Sequence, residues 1–304
     1  MRMRTKVWLI IAASLVLLGC ILFAGVMTTL KWDFMELATV KYETNTYEIT
    51  EAFDGISMNT DTADIAFVLS DDGNCSVECH EEANAKHSVT VEDGTLTVEL
   101  IDERSVYDFI EYIGLNFGSP KITVYLPQNE FNSLLMKTDT GDIDIPENFY
   151  FENVNIESDT ADIDFLGDAS MDVKLSTDTG DINVNSAFSN GDIYVETDTG
   201  DITLTDIKCD KLTAESDTGK ISLSRTVAKD SFSIENGTGD VVFEKSDAQK
   251  IFVETDTGDV TGSLLTDKVF VTETSTGDVN VPKTASGGRC EITTSTGNVK
   301  IEIE

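Results

Sequence analysis

One phrase, typified by Thr-Asp-Thr-Gly-Asp-Ile, recurs through the second half of the chain at intervals of 19 or 20 residues. Each copy contains a marker glycine, replaced once by alanine. The nine markers are Gly141, Ala161, Gly180, Gly200, Gly219, Gly239, Gly258, Gly277 and Gly297. A fixed period of this length is typical of solenoids, in which one coil of chain forms one rung. The sequence therefore predicts an all-β fold, a single-stack parallel β-solenoid (β-helix) with 19–20-residue rungs.

The register within a rung follows from the alternation of apolar residues. Val173 and Leu175 precede the marker Gly180 by seven and five positions and share one strand face. The same inward face is predicted for the Ser, Thr or Asn three before each marker and the Thr immediately before it, where stacked threonines can hydrogen-bond. Ile182 and Val184 follow the marker at even offsets, so the inward parity changes there. We expect the glycine to form a corner or bulge between two short strands.

A further copy of the phrase lies far upstream. Ile56 and Met58 take the same offsets before Ala63, which lies 78 residues before Gly141. Residues 47–130 are therefore predicted to be the irregular N-terminal part of the solenoid, with a loop insertion at 101–120. Residues 131–304 are predicted to be its regular part.

The N-terminus carries an apolar run from Val7 to about Leu30, after Arg2, Arg4 and Lys6. About 20 apolar helical residues are enough to span a bilayer. The positive-inside rule predicts a cytoplasmic tail (1–6), a transmembrane anchor (7–30), a stalk (31–46) and an extracytoplasmic C-terminal domain of a single-pass cell-membrane protein. A cleaved signal peptide and a lipoprotein processed at Cys20 are the alternatives, but the apolar run is long for both.

The chain has a net charge of −35, with 56 acidic and 21 basic residues. Such a charge repels nucleic acid, which is excluded as an expected partner. Two acidic rows could bind cations weakly, because Ca²⁺ takes six to eight oxygen ligands. Within these rows the predicted cation ladder comprises Asp139, Asp142, Asp159, Asp162, Asp178, Asp181, Asp198, Asp201, Asp256 and Asp259. The competing interpretation is turn chemistry with a solvated acidic surface.

Cys75, Cys79, His80 and His87 lie close together in the irregular part. They could supply zinc ligands, although strand alternation places Cys79 and His80 on opposite faces. A Cys75–Cys79 disulfide would need a tight turn, and free thiols are favoured. With only two histidines in the chain, no nucleophile has an obvious base, so neither catalytic residues nor a bound cofactor are predicted.

The insertion concentrates aromatic and aliphatic residues. Its most apolar side chains are Val106, Tyr107, Phe109, Ile110, Tyr112, Ile113 and Phe117. They either plug an open end or side of the solenoid or form an exposed contact for a partner or membrane.

The anchor, the strand Lys-Ile-Thr-Val-Tyr-Leu-Pro at 121–127 and the Thr-Asp-Thr-Gly-Asp-Ile rungs together resemble a bacterial cell-envelope family of unknown function described as adhesins, which includes the LiaG-like proteins. The resemblance implies a surface location and a link to envelope-stress signalling. From the whole sequence we predict a non-enzymatic binding or structural role at the envelope, with an envelope polymer or a membrane signalling protein as partner. The alternative is an accessory role in envelope-stress signalling through a membrane protein. Stacking of one copy on another is a further option, because no capping helix follows the last repeat.

Overall fold

The computed structural model describes residues 3–32, 40–102, 118–185 and 190–304. It begins with one helix, α1 (Met3–Thr29). The section Val7–Thr29 is long and apolar enough to cross a membrane, and its side chains are almost all exposed. At 1.5 Å per residue these 23 residues reach about 35 Å. The helix therefore has the properties of a single-pass membrane anchor or a signal sequence.

The regular part is a parallel β-solenoid, and the fold as a whole has about eight turns. Each rung contains a strand before the marker and a shorter strand after it. These strands are β8 (Glu130–Thr140), β9 (Ile143–Ile145), β10 (Tyr150–Thr160), β11 (Ile163–Phe165), β12 (Asp168–Ala169), β13 (Val173–Thr179), β14 (Ile182–Asn185), β15 (Asp192–Thr199), β16 (Ile202–Thr205), β17 (Lys208–Thr218), β18 (Ile221–Ser224), β19 (Val227–Thr238), β20 (Val241–Thr257) and β21 (Val260–Leu264).

Equivalent residues of neighbouring rungs pair directly, so the predicted register is confirmed. Leu175, for example, pairs with Ile156 on one side and with Val195 on the other, and all three are buried. The inward change of parity at the marker is also present. One detail of the prediction is wrong: the threonine immediately before the marker, such as Thr179, is exposed. The chain bulges one residue earlier, at Asp178, which the ladder skips, and this turns the threonine outward.

The N-terminal end combines parallel and antiparallel strands. They are β1 (Tyr42–Ile49), β2 (Gly55–Asn59), β3 (Asp64–Leu69), β4 (Cys75–Glu82), β5 (Ala85–Glu92), β6 (Thr95–Asp102) and β7 (Lys121–Leu126). Strands β2 and β3 stack in parallel on β8 and β9, with Met58 beside Met136, so the upstream copy is a true rung. Strands β6 and β7 form the next rung outward. Antiparallel β5 then covers β6, β4 covers β7, and β1 covers β4.

The first strand begins inside the segment predicted as a stalk (31–46), because Tyr42 pairs with Glu82. The predicted insertion lies mostly outside the described residues. In particular, the predicted contact residues between Val106 and Phe117 all lie outside the described residues.

The C-terminal rungs do not stack in chain order. Their strands are β22 (Lys268–Thr276), β23 (Val279–Asn280), β24 (Gly288–Thr296) and β25 (Val299–Ile303). Strands β24 and β25 pair with β20 and β21 on one side and with β22 and β23 on the other. The outermost described rung at this end is therefore formed by β22 and β23, which precede the last repeat in the sequence.

A buried ion pair spans the inserted rung. The Lys268 ammonium, in the outermost rung, contacts the carboxylate of Asp247 in β20, and both side chains are buried. Lys268 pairs in register with Gly288 of the inserted rung. Because Gly288 has no side chain, the lysine can cross that rung to reach its partner. A Cβ at residue 288 would lie 3.5 Å from Cδ of Lys268.

Candidate functional site

The aspartates that follow the markers are hydrogen-bonded to the next rung. Oδ1 of Asp162 accepts a 2.7 Å hydrogen bond from the backbone N–H of Asp181, and Oδ1 of Asp181 accepts one of 2.7 Å from Asp201. The N–H of Lys220 completes this run by donating to Asp201. Charge-assisted bonds of this kind are roughly twice as strong as neutral ones. This half of the predicted cation ladder thus has a structural role at the corner.

The polar residue three before the marker caps the same corner from inside. Thr197 donates a 3.0 Å hydrogen bond to the carbonyl of Gly180, and Asn236 donates one of 2.9 Å to the carbonyl of Gly219. These side chains are almost fully buried. An unpaired buried carbonyl costs about 1–3 kcal/mol, so the inward hydroxyl or amide satisfies a group that the bulge leaves without a ladder partner.

Three of the aspartates two before the marker, Asp198, Asp217 and Asp256, lie in an acidic groove on the outer face, whereas Asp139, Asp159 and Asp178 do not line it. A cavity of about 230 Å³ is lined by seven carboxylates. We define the acidic groove by these residues, which are Glu196, Glu215, Glu235, Glu254, Asp198, Asp217 and Asp256. The four glutamates pair in direct register from rung to rung. Adjacent strands are about 4.8 Å apart, so like charges are stacked along the groove.

The electrostatics of the groove reflect this crowding. Partial desolvation raises the pKa of Asp198, and the neighbouring Asp178, Asp217 and Glu196 raise it further. The Tyr194 hydroxyl lies 3.0 Å from Oε2 of Glu196 and 3.1 Å from Oε2 of Glu215, where it can donate to either carboxylate. No ion pair between described residues involves a groove carboxylate.

Several lysines and arginines instead form an ion pair with an acid of a neighbouring rung at a turn. Three such pairs are Lys211–Asp192 at 3.0 Å, Arg225–Asp206 at 2.6 Å and Lys229–Asp210 at 3.2 Å. These cations therefore offset charge at the turns, while no described cation forms an ion pair with a carboxylate of the acidic groove.

The groove has defined limits. Glu196 is preceded in the stack by Ser176, and Glu254 is followed by Thr293 of the inserted rung. Its third rung has Gly237 where the other three rungs have aspartate, and a Cβ there would lie 2.6 Å from the carbonyl oxygen of Asp217. The missing side chain leaves the space between Asp217 and Asp256 open.

Sequence reasoning found the groove aspartates but missed the glutamate row. The signal was present, because glutamate stands four before the marker at Glu157, Glu196, Glu215, Glu235, Glu254 and Glu273. The carboxylates of the groove do not form a compact coordination site. Among described residues, only one set of three side chains brings its ligand atoms within 4.8 Å of one another, and it lies elsewhere.

That set consists of Cys79, Glu81 and His87 in the N-terminal part. As alternation predicted, His80 points away from Cys79: its ring stacks on Tyr42. Both Cys75 and Cys79 are buried free thiols. Burial, with Glu81 and Glu78 nearby, raises the pKa of Cys79 to about 12. The sequence placed Cys79 and His87 in one group but did not include Glu81.

Fold and surface together define a class: a parallel β-solenoid with corner glycines, an acidic outer groove and one apolar N-terminal helix. The chain belongs to the Toastrack DUF4097 family, whose model matches residues 53–190 and 168–304. This agrees with the expected adhesin-like family. No curated protein matches the chain.

Several solved structures are similar to this chain. A putative adhesin from Bacteroides fragilis NCTC 9343 is 17% identical with a TM-score of 0.40, covering 86% of this chain and 97% of that one. A putative adhesin from Parabacteroides distasonis ATCC 8503 is 12% identical with a TM-score of 0.39, covering 84% and 97%. One from Parabacteroides merdae ATCC 43184 is 13% identical with a TM-score of 0.34, covering 86% and 96%.

Proposed function

We propose that this chain is a membrane-anchored, extracytoplasmic adhesin-type protein that binds cationic groups of an envelope polymer or neighbouring surface through its acidic groove. Its role is binding, and the proposal assigns it no reaction. The positive residues before Val7 would hold the N-terminus in the cytoplasm and place the solenoid outside.

The observation that carries this proposal is the unequal distribution of charge. Seven carboxylates line one groove without an ion-pair partner among the described residues, although the same rungs pair several of their lysines with acids at the turns. Like charges about 4 Å apart cost about 1 kcal/mol per pair in water. A bound polycation would offset this repulsion at several rungs at once, and multivalent contact strengthens weak individual ones.

The groove is expected to attract cations diffusely and not to coordinate a single metal ion. The oxygen ligands of a calcium ion lie about 2.3–2.6 Å from it, and three of them must therefore lie close to one another. No three groove carboxylates lie within 4.8 Å of one another. We therefore expect Ca²⁺ and Mg²⁺ to act alike and weakly, and a flexible polyamine to act more strongly.

The test is thermal unfolding of the full-length chain in detergent micelles, followed by circular dichroism at constant ionic strength. The additions are EDTA, then Ca²⁺ or Mg²⁺, and separately spermine. We expect spermine to raise the Tm in a saturable way. The groove variant Glu215→Gln/Glu235→Gln/Glu254→Gln should have a higher Tm without ligand and lose most of the spermine shift.

A matched control removes the same charge elsewhere. Glu51, Glu92 and Glu130 are exposed acids outside the groove, and their triple change to Gln should keep the spermine shift. Equal loss in both triple variants would mean that net charge alone attracts the polycation. A large shift specific to Ca²⁺ would instead identify a coordination site and contradict diffuse binding.

The exposure of α1 favours a second function, an accessory role in envelope-stress signalling. The side chains of Val7–Thr29 are almost all exposed, and a membrane partner could pack against them. Adhesion needs the helix only as an anchor, whereas signalling needs its particular side chains. Replacing α1 with an unrelated transmembrane helix of equal length therefore distinguishes the two functions. If the protein acts in adhesion, surface binding survives the replacement. If it acts in signalling through α1, the regulatory output is lost.

A further inference from the structure

The N-terminal part contains a buried cluster of three chemically different ligand groups. Cys79 and Glu81 stand two apart on β4, so their side chains share its inward face, and His87 lies on β5 across the hairpin. The Cys79 Sγ, a Glu81 carboxylate oxygen and an imidazole nitrogen of His87 all lie within 4.8 Å of one another. Their relative exposures are 0%, 1% and 5%. The hairpin thus places a residue of β5 beside two residues of β4, a grouping that side-chain alternation within one strand could not predict.

Glu81 is held in place by several donors. Its Oε2 accepts a 2.6 Å hydrogen bond from the His87 backbone N–H and also lies 2.8 Å from His87 Nδ1. Its Oε1 accepts a 2.7 Å hydrogen bond from Nδ2 of Asn45 on β1. A carboxylate that fixes one imidazole nitrogen in this way directs the other nitrogen, with its lone pair, toward a ligand.

That other nitrogen has no hydrogen-bond partner among the described residues. It is the Nε2 atom of His87, and it is buried. Leaving such a group unsatisfied costs about 1–3 kcal/mol, and native proteins rarely do so without a bound water, ion or function. A cavity of about 20 Å³ adjoins the cluster and is lined by both Glu81 and His87. This is enough space for one water molecule or one ion.

We propose that Cys79, Glu81 and His87 bind one divalent transition-metal ion of the zinc type, with a water in the adjoining cavity as the fourth ligand. Thiolate and imidazole suit zinc, whereas Ca²⁺ and Mg²⁺ take oxygen ligands. Zinc bonds of about 2.0–2.3 Å place tetrahedral ligands roughly 3.3–3.8 Å apart. With ligand atoms up to 4.8 Å apart, the three groups therefore need to close by about 1.5 Å at most. On binding, Cys79 coordinates as thiolate and its proton leaves to solvent.

The test uses Co²⁺ as a spectroscopic substitute for zinc, added to chelator-treated full-length chain in detergent micelles. We expect one equivalent of Co²⁺ to produce sulfur-to-cobalt charge-transfer absorption in the near ultraviolet and tetrahedral d–d bands in the visible. One equivalent of Zn²⁺ should remove both, and excess Ca²⁺ should remove neither. The Cys79→Ser variant should lose the charge-transfer band and bind Zn²⁺ more than about 100-fold more weakly, which exceeds the usual loss for an outer partner.

The matched control is Cys75→Ser, which alters a buried thiol on the same strand face outside the cluster. It should keep the Co²⁺ spectrum. His87→Gln reports on the imidazole and should reduce affinity as strongly as Cys79→Ser, while circular dichroism confirms that each variant is folded. Absence of a sulfur-to-cobalt band in the parent chain would overturn the proposal and leave a buried Glu81–His87 pair. A band that persists in Cys79→Ser would overturn it equally. The acidic-groove variant should bind Co²⁺ unchanged, so this site and the proposed function fail independently.

Discussion

The corner of a rung is set by two residues, the marker glycine and the polar residue three before it. Gly180 has a backbone φ of +142°, which side chains rarely adopt. Its backbone also packs directly on the preceding corner at Ala161. The alanine is tolerated one rung earlier because Ala161 does not have a positive φ. The same repeat position thus has different steric requirements in adjacent rungs.

This difference gives a residue-level prediction. Gly180→Ala should lower the free energy of unfolding by at least about 2 kcal/mol, because a strained φ and an overlap with the Ala161 carbonyl combine. Ala161→Gly, the matched change at the same repeat position, should stay within about 1 kcal/mol of the parent. Urea denaturation of full-length chain measures both. Similar losses in the two variants would show that the corners are equivalent and refute this account.

Alternation predicted which residues of a strand face the core, but it could not locate the bulge. Val173 and Leu175 are buried as expected, while Thr179 is exposed because the bulge falls at Asp178. The position of a bulge depends on hydrogen bonds between rungs, which a pattern within one strand does not contain. For the same reason, alternation did not predict Glu81 as part of the buried cluster, because its partner His87 belongs to the next strand of the hairpin.

At the scale of elements, the buried pair of Lys268 and Asp247 joins three successive rungs. Removing one partner of such a pair leaves a charge without compensation, whereas replacing both by apolar groups is often neutral. The lysine links β22 directly to β20, in addition to the backbone pairing of both strands with β24, because its side chain crosses the inserted rung.

We therefore expect Lys268→Met to cost about 3–5 kcal/mol in the free energy of unfolding. The double change Lys268→Met/Asp247→Val should recover most of that loss. Urea denaturation measures the three proteins, and the coupling between the two sites follows from the double-mutant cycle. If the single variant were within about 1 kcal/mol of the parent, the pair would not hold the outermost rung.

At the scale of the whole molecule, the repeat predicted the rungs but not their order. Because every rung carries nearly the same phrase, the edge of one can pair with the edge of almost any other. Charge offers a physical reason for the observed order. The inserted rung places neutral Thr293 between Glu254 and Glu273, and neutral Asn298 between Asp259 and Asp278. Stacking in chain order would have put these acids side by side.

Two truncations test the importance of this order. Removing residues 285–304 deletes β24 and β25 and leaves β22 and β23 without their paired neighbour. Removing 265–304 deletes both rungs and ends the solenoid at β21. We expect the protein that lacks 265–304 to be the better folded of the two. In the protein that lacks only 285–304, protease should cleave residues 268–280 rapidly. Protection of 268–280 in that protein would show that this rung can dock in chain order.

The inserted rung also constrains how the protein is made. A ribosome finishes residues 268–280 before it reaches 288–303, yet the later segment lies inside the earlier one. The outer rung therefore has no native neighbour to pair with until β24 and β25 have been synthesised. A chain that terminates before Gly288 lacks the strands on which its own outermost rung rests. Completion of this end of the solenoid thus depends on a segment that is synthesised after the rung it supports.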